Sequence, residues 1–297
     1  MPENLLRLKP PVYFNLEKTA LSHGWSSLSP FSYTKNPFTL SFVMEADGSA
    51  VDIRLVQKPK SLEAVLASSK EPDTKTIGKI RTGIIRSLGL SMDTSELKEI
   101  AGMVDPEFEA MVENGAGRLL RSPTLWEDAA KTLFTTNCTF SLTRKMAAAL
   151  CGISEATPSP TNQKSFPGPE TILKIPVKEL KRIAPLGYRA PYLQSLADRF
   201  LNDGDVMNMK IHSMDYMSNY KLIKSFKGFG DYAARHLTLL MGHYGKIPVD
   251  SIVTAYFRDE HGVEDPEAFI ETRYAGWGHY RWWGFYFEIE QHEKTTA

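Results

Sequence analysis

The spacing of hydrophobic and polar positions changes character near residue 75. Before that point the apolar residues come in short β-branched and aromatic runs. Phe38 to Val43 and Val51 to Val56 flank Glu45-Ala46-Asp47-Gly48, and an Asp-Gly step between two such runs is a strong signal for a tight β-hairpin. Val12, Phe14 and Leu16 alternate with other residues and predict a further strand paired with that hairpin. Residues 1–75 therefore read as an antiparallel β domain.

The polar stretch Ser68 to Lys75, with Pro72 inside it, marks the junction. Beyond it apolar residues recur every three to four positions over Thr76 to Leu88, Thr94 to Met103, Asp105 to Asn114, Thr124 to Cys151, Val177 to Ile183, Pro191 to Asn202, Asp215 to Phe226, Tyr232 to Tyr244, Ser251 to His261 and Pro266 to Tyr274. These segments predict a helical domain over residues 76–297 and make the fold class α+β. Gly152 and Gly262 stand where helix C-terminal glycines belong, and Ser154 to Gly168, which holds three prolines, reads as a loop. No repeat of fixed period interrupts this order.

Composition narrows the function. With 297 residues, 42% of them hydrophobic, the chain can bury the core of one large domain or two modest ones. Its 35 Lys and Arg balance 35 Asp and Glu, so no broad basic field draws in a polyanion and any such site must be local. Two cysteines, Cys138 and Cys151, are too few for a disulfide framework, a four-cysteine zinc site or a cysteine-ligated iron–sulfur cluster. Met1 to Lys9 lacks the pattern of a signal peptide, and no run of about 18 apolar residues could span a bilayer. The expectation is an intracellular protein of the cytoplasm, nucleoid or nucleus, without a membrane partner.

One segment carries chemistry. Leu222-Ile223-Lys224-Ser225-Phe226-Lys227-Gly228-Phe229-Gly230-Asp231-Tyr232-Ala233-Ala234 predicts a helix, a tight glycine turn and a second helix, followed by Ile247-Pro248-Val249-Asp250-Ser251. A helix that starts on Gly-x-Gly leaves its first amides without side-chain caps, and these donors, at the positive helix end, suit a phosphate. Lys224 and Lys227 add local charge. A plain helical hairpin fits the same residues, and Asp250 alone fits a simple helix N-cap.

The hairpin, Gly228 and Gly230, and Pro248-Val249-Asp250 at this distance resemble the helix-hairpin-helix DNA glycosylases with the Gly-Pro-Asp signature. Further blocks, in the same order, are similar to blocks of the 8-oxoguanine DNA glycosylases of that superfamily: Gly117-Arg118-Leu119-Leu120-Arg121, Phe134-Thr135-Thr136-Asn137, Leu186-Gly187-Tyr188-Arg189-Ala190 and Tyr274-Ala275-Gly276-Trp277. The predicted N-terminal sheet fits that branch and the alkylpurine glycosylases. The resemblance implies that Asp250 is the catalytic carboxylate and that the amides at Gly228 and Gly230 grip the DNA backbone. It also implies that Asn137 and Tyr188 fill or wedge the gap left by a flipped base, and that Arg189 reads the orphaned partner base. A monovalent cation, K+ or Na+, would rest on the carbonyls of Lys224, Phe226 and Phe229; no other cofactor is implied. The partner would be double-stranded DNA with a damaged base, for which a monomer suffices.

Departures from the pattern bear on the reaction. Strand-cleaving members carry a Schiff-base lysine where this chain has Tyr232, and a phenol forms no imine. Leu142 replaces the cytosine-reading arginine expected five residues after Asn137, and His279 and Trp283 replace a glutamine and a phenylalanine of the 8-oxoguanine base pocket. Tyr232, His279, Trp283 and, from the N-terminal part, Trp25 are thus the base-pocket candidates. The resulting expectation is a monofunctional glycosylase acting on an alkylated purine. The alternatives are an 8-oxoguanine-type enzyme that works without the lysine and a noncatalytic damage-binding protein.

Overall fold

The computed structural model of the chain describes residues 3–207 and 215–296. Strands β1 (Glu3–Leu8), β2 (Ser32–Thr34), β3 (Thr39–Ala46), β4 (Ser49–Lys58) and β5 (Ser61–Ser68) form one antiparallel sheet in the order β1-β5-β4-β3-β2. The β3–β4 hairpin closes at the Asp-Gly step: Asp47 and Gly48 take φ of +51° and +76°, and Ala46 pairs with Ser49. Two successive left-handed residues are what a two-residue hairpin turn of type I′ requires. Leu40, Phe42, Ile53, Leu55, Ala64 and Leu66 face one another across the register and are buried.

One strand expectation changes, and β5 adds a strand that the runs do not predict. The run Val12, Phe14, Leu16 is not a strand: Tyr13 takes φ +55°, Val12 is exposed, and Asn15 caps a short helix that Leu16 opens. The first strand lies earlier, at β1. β5 escapes a propensity-based reading because Ser, Glu and Ala are weak strand formers, yet its residues alternate between buried and half-buried and pair on both sides.

The helices are α1 (Leu16–Ala20), α2 (Thr74–Leu88), α3 (Ser95–Val104), α4 (Pro106–Glu113), α5 (Leu125–Thr135), α6 (Phe140–Cys151), α7 (Pro169–Lys174), α8 (Val177–Ile183), α9 (Arg189–Asn202), α10 (Gly204–Met207), α11 (Tyr216–Lys224), α12 (Asp231–Leu240), α13 (Ser251–His261), α14 (Pro266–Arg273) and α15 (Arg281–Thr296). Among the described residues no helix is long and apolar enough to cross a membrane. Thr124 to Cys151, predicted as one helix, is two. Thr136 leaves α5 with extended backbone, Asn137 takes φ +46°, and the Thr139 hydroxyl caps α6 by accepting from the Leu142 amide. Gly262 ends α13 in the left-handed region at φ +65°, whereas Gly152 follows α6 with right-handed backbone at φ −58°.

Strand gives way to helix between Ser68 and Thr74. Packing divides the chain elsewhere, into one compact unit of Met1–Asp93 with Arg118–Met207 and another of Thr94–Gly117 with Asn208–Ala297. In the first, helices pack directly on the sheet: a Cβ added to Gly83 of α2 would meet Met44 Sδ of β3 at 2.6 Å. In the second, Phe108 of α4 stacks on Phe287 of α15 with ring centroids 5.9 Å apart. The aromatic residues Tyr244, Phe257, Tyr274, Trp277, Trp283 and Phe287 are buried in that unit's core.

Candidate nucleic-acid site

In the second unit a tight turn joins α11 to α12. Asp215 caps α11 through the Ser218 amide at 3.0 Å, and α11 runs to Lys224. The chain then turns through Phe226 N–H to Ile223 O at 2.9 Å and Phe229 N–H to Phe226 O at 3.1 Å. Gly228 takes φ +88°, a conformation that favours glycine. Phe226 and Phe229 are buried, edge to face at 5.4 Å, so the turn is anchored by two rings rather than left as a loose loop.

Gly230 is the N-cap of α12 and offers no side chain to its first amides. A Cβ built at Gly230 meets nothing within 4 Å, so the missing side chain opens the approach to the backbone rather than easing internal packing. Internal packing falls to Ala233 and Ala234, which are buried. This geometry presents helix-start donors to an outside acceptor such as phosphate.

The lysines differ from the expectation. Lys224 Nζ lies 2.5 Å from Asp231 Oδ1, and the Tyr220 hydroxyl donates to the same oxygen. Both members of the pair are exposed. Lys224 is thus an exposed ion-pair partner of the first residue of α12. Lys227 is exposed and has no ion pair among the described residues. The Phe226 carbonyl assigned to a cation already accepts the Phe229 amide; its second lone pair is what an ion would use.

Asp250 sits at the mouth of α13, where its Oδ1 accepts from the amides of Ile252 and Val253, both at 2.9 Å. Thr254 Oγ1 donates to the Asp250 carbonyl at 2.8 Å. Both capping bonds fall on Oδ1, so the cap holds the carboxylate without engaging Oδ2. Arg235 of α12 ties the hairpin to this segment: Nη1 lies 3.4 Å from Ile247 O and 2.6 Å from Glu267 Oε1. The sequence reading passed over Arg235, whose one available signal is its place a helical turn beyond Tyr232.

Tyr232, in the first turn of α12, is half-buried with its ring 5.8 Å from that of His236, four residues on. His279 is exposed, rests on Tyr280 at 4.2 Å and places Nε2 3.3 Å from Glu96. Trp283 is 0% exposed and packs against Tyr244, Trp282, Tyr286 and Phe287. Trp25 is 2% exposed and donates from its indole to Asp128 at 2.9 Å. The pocket expectation for the two tryptophans is therefore corrected: neither has an accessible face on which a base could stack, because core packing occupies both rings.

In the first unit the structure gathers Asn137, Tyr188 and Arg189. Asn137 lies in the α5–α6 turn at φ +46°. Gly187, at φ +55°, turns the chain into α9 and leaves Tyr188 48% exposed. The Tyr188 hydroxyl lies 3.5 Å from Thr136 O, and its ring carries the Arg189 guanidinium at 4.5 Å. Arg189 itself is 4% exposed. An exposed aromatic beside a left-handed Asn on a turn is an arrangement able to enter a gap in a base stack.

No protein-family model matches the chain, and no curated protein matches it in sequence. The fold is shared with solved structures of DNA glycosylases. The 3-methyladenine DNA glycosylase from Archaeoglobus fulgidus superposes with a TM-score of 0.72 over 95% of this chain and 96% of its own, at 18% identity. The apo form of the Clostridium acetobutylicum 8-oxoguanine glycosylase/lyase gives 0.69 over 96% and 97%, at 15% identity. Its complex with double-stranded DNA containing cytosine opposite 8-oxoguanine gives 0.67 over 97% and 98%, at 16% identity. At these identities the likeness establishes the fold, and residue roles rest on local geometry.

Proposed function

We propose that this chain is a monofunctional DNA glycosylase that takes a damaged purine out of duplex DNA and hydrolyses its N-glycosidic bond. The observation that carries the reading is a tight turn between α11 and α12 with an uncapped helix start at Gly230, followed by Asp250 held through one oxygen by two amides. Breaking the N-glycosidic bond leaves an oxocarbenium-like sugar. A fixed carboxylate stabilises that charge and orients the attacking water, here with Asp250 Oδ2. Extruding the base costs a few kcal/mol, least for a damaged pair, and Asn137 and Tyr188 would offset it by filling the gap.

Tyr232 supports hydrolysis over strand cleavage, since its phenol forms no imine with the sugar. It also favours an N-alkylated purine, a cationic leaving group that departs without a general acid and that an aromatic face attracts. The fold neighbours include a 3-methyladenine glycosylase and 8-oxoguanine glycosylases alike, so the choice rests on Tyr232. Asn137 and Tyr188 side by side favour a second reading, an 8-oxoguanine-type enzyme without the lysine. Carbonyls of Lys224, Phe226 and Phe229 would hold K+ or Na+ as a structural ion. An intracellular monomer bound to damaged duplex completes the reading.

The test is Asp250→Asn. Asparagine caps a helix as well as aspartate does, so α13 keeps its start while the charge is lost. Base release from duplexes with one N-alkylated purine should fall by about a thousandfold or more, with lesion binding kept within about threefold. Comparable release by the variant would remove Asp250 from the mechanism. Borohydride should trap no protein–DNA adduct, and an adduct on a lysine would refute the monofunctional reading. Release from duplexes carrying 8-oxoguanine instead would select the second reading, and binding without any product would leave a damage sensor.

A further inference from the structure

The Arg189 side chain is committed to the protein. Its Nη2 donates to the carbonyls of Thr136 and Asn137, the latter at 3.3 Å, its guanidinium lies on the Tyr188 ring, and only 4% of the residue is exposed. Among the described residues no carboxylate pairs with it. A buried guanidinium without a counter-ion needs another source of negative potential. The Thr136 carbonyl supplies it, because Thr136 is the C-cap of α5 and its oxygen belongs to the negative end of that helix. Arg189 thus satisfies orphan carbonyls of one helix from the first position of another, α9.

We propose that Arg189 is a positioning residue: it clamps the Thr136–Asn137 turn to the start of α9 and so fixes Asn137 and Tyr188 in a single wedge, instead of reaching out to read the partner base. The proposal rests on the glycosylase reading. Two further facts fit it. Asn137 is in the left-handed region, which an ordinary side chain leaves readily unless its neighbours hold it. Tyr188 shares the Thr136 carbonyl with Arg189, so one acceptor sets the position of both. Both carbonyl bonds are made by Nη2, so a base contact that recruited this nitrogen would break the hydrogen bonds to Thr136 and Asn137.

The experiment compares wild type, Arg189→Ala and Arg189→Lys. Lesion affinity is measured on four duplexes that differ only in the base opposite the lesion. A clamp predicts that Arg189→Ala weakens all four by about tenfold, equal within about twofold, and that Arg189→Lys recovers part of the loss because an ammonium can still donate to the carbonyls. Loss confined to one opposite base would overturn the proposal in favour of base reading. Hydrogen exchange on the DNA-free protein provides the second arm: in Arg189→Ala the amides of residues 137–139 should exchange faster while the strands keep their protection. Unchanged exchange there, or a rise spread over the whole unit, would overturn the clamp. Should wild type neither bind nor process any lesion, the glycosylase reading fails, while the exchange arm still decides the clamp.

Discussion

In the second unit the hairpin and Asp250 come from one stretch, 222–250; in the first, Tyr188 reaches Thr136 and Arg189 reaches Thr136 and Asn137 across some fifty residues. The two arrangements are held by different forces. The hairpin depends on backbone bonds between near neighbours, backed by buried rings, while Asp250 is held by amides two and three residues on that donate to its own carboxylate. The first unit relies on side chains that carry buried charge over long separations. Asp128, fully buried, takes the Trp25 indole at 2.9 Å and the Ser122 amide at 2.8 Å on Oδ1, and faces Arg86 at 2.7 Å on Oδ2. That last contact is ionic and lies off the hydrogen-bond direction, since neither atom meets bonding geometry. Lys131 pairs with Glu127 at 2.6 Å while lying 4.9 Å over Phe31, and Arg118 donates to the carbonyls of Tyr13 and Met92. Removing one partner of such a buried ion pair costs far more than removing an exposed charge such as Lys224.

The largest effect that sharpens this contrast is Asp128→Asn. The variant leaves Arg86 buried without its counter-charge, so unfolding free energy should fall by about 3–5 kcal/mol in denaturant titrations. Hydrogen exchange should show the loss concentrated in the first unit. A loss under about 1 kcal/mol would show that the ion pair is dispensable, and an equal loss of protection in both units would erase the contrast.

His23 gives a smaller effect with a defined pH window. Its Nε2 lies 2.7 Å from Leu120 O, and the Trp25 amide donates to Nδ1 at 3.3 Å, so the neutral Nε2–H ring satisfies both contacts. Burial lowers its pKa to about 4, against the opposing pull of the Leu120 carbonyl and Asp128. The unfolded chain, with an ordinary histidine pKa near 6.5, therefore takes up this proton first as pH falls. The stabilisation is complete above about pH 6.5 and is lost progressively down to about pH 4, at most about 3 kcal/mol in all. Comparing pH titrations of stability for wild type and His23→Gln isolates the term. Parallel curves over that window would show that His23 does not bury as a neutral ring.

The same contrast explains what could be read before the fold was known. The β3–β4 turn and the glycine hairpin were legible because a few adjacent residues, Asp47-Gly48 and Gly228-Phe229-Gly230, demand one backbone path. The break between α5 and α6 was not, because Thr136 to Thr139 carries neither Gly nor Pro and Asn137 takes its positive φ within a tertiary clamp. Lys224 was assigned to phosphate on charge alone, and only the folded turn brings Asp231 beside it. Trp25 and Trp283 belong to a pocket only by family resemblance, and neither resemblance nor composition tells which rings the core absorbs.

The smallest effect tests how the hairpin would hold DNA. If backbone amides carry the contact, the salt dependence of binding should hardly notice Lys224, whose charge Asp231 already answers, and should register Lys227. Lys227→Ala should reduce the slope of log affinity against log salt by about one, and Lys224→Ala by well under half of that. Asp231→Asn should then raise affinity, because it releases Lys224 and removes a like charge from the helix start that meets phosphate. Equal slopes lost for both lysines would mean that Lys224 abandons Asp231 on binding, and the hairpin would then depend on side-chain charge as the first unit does.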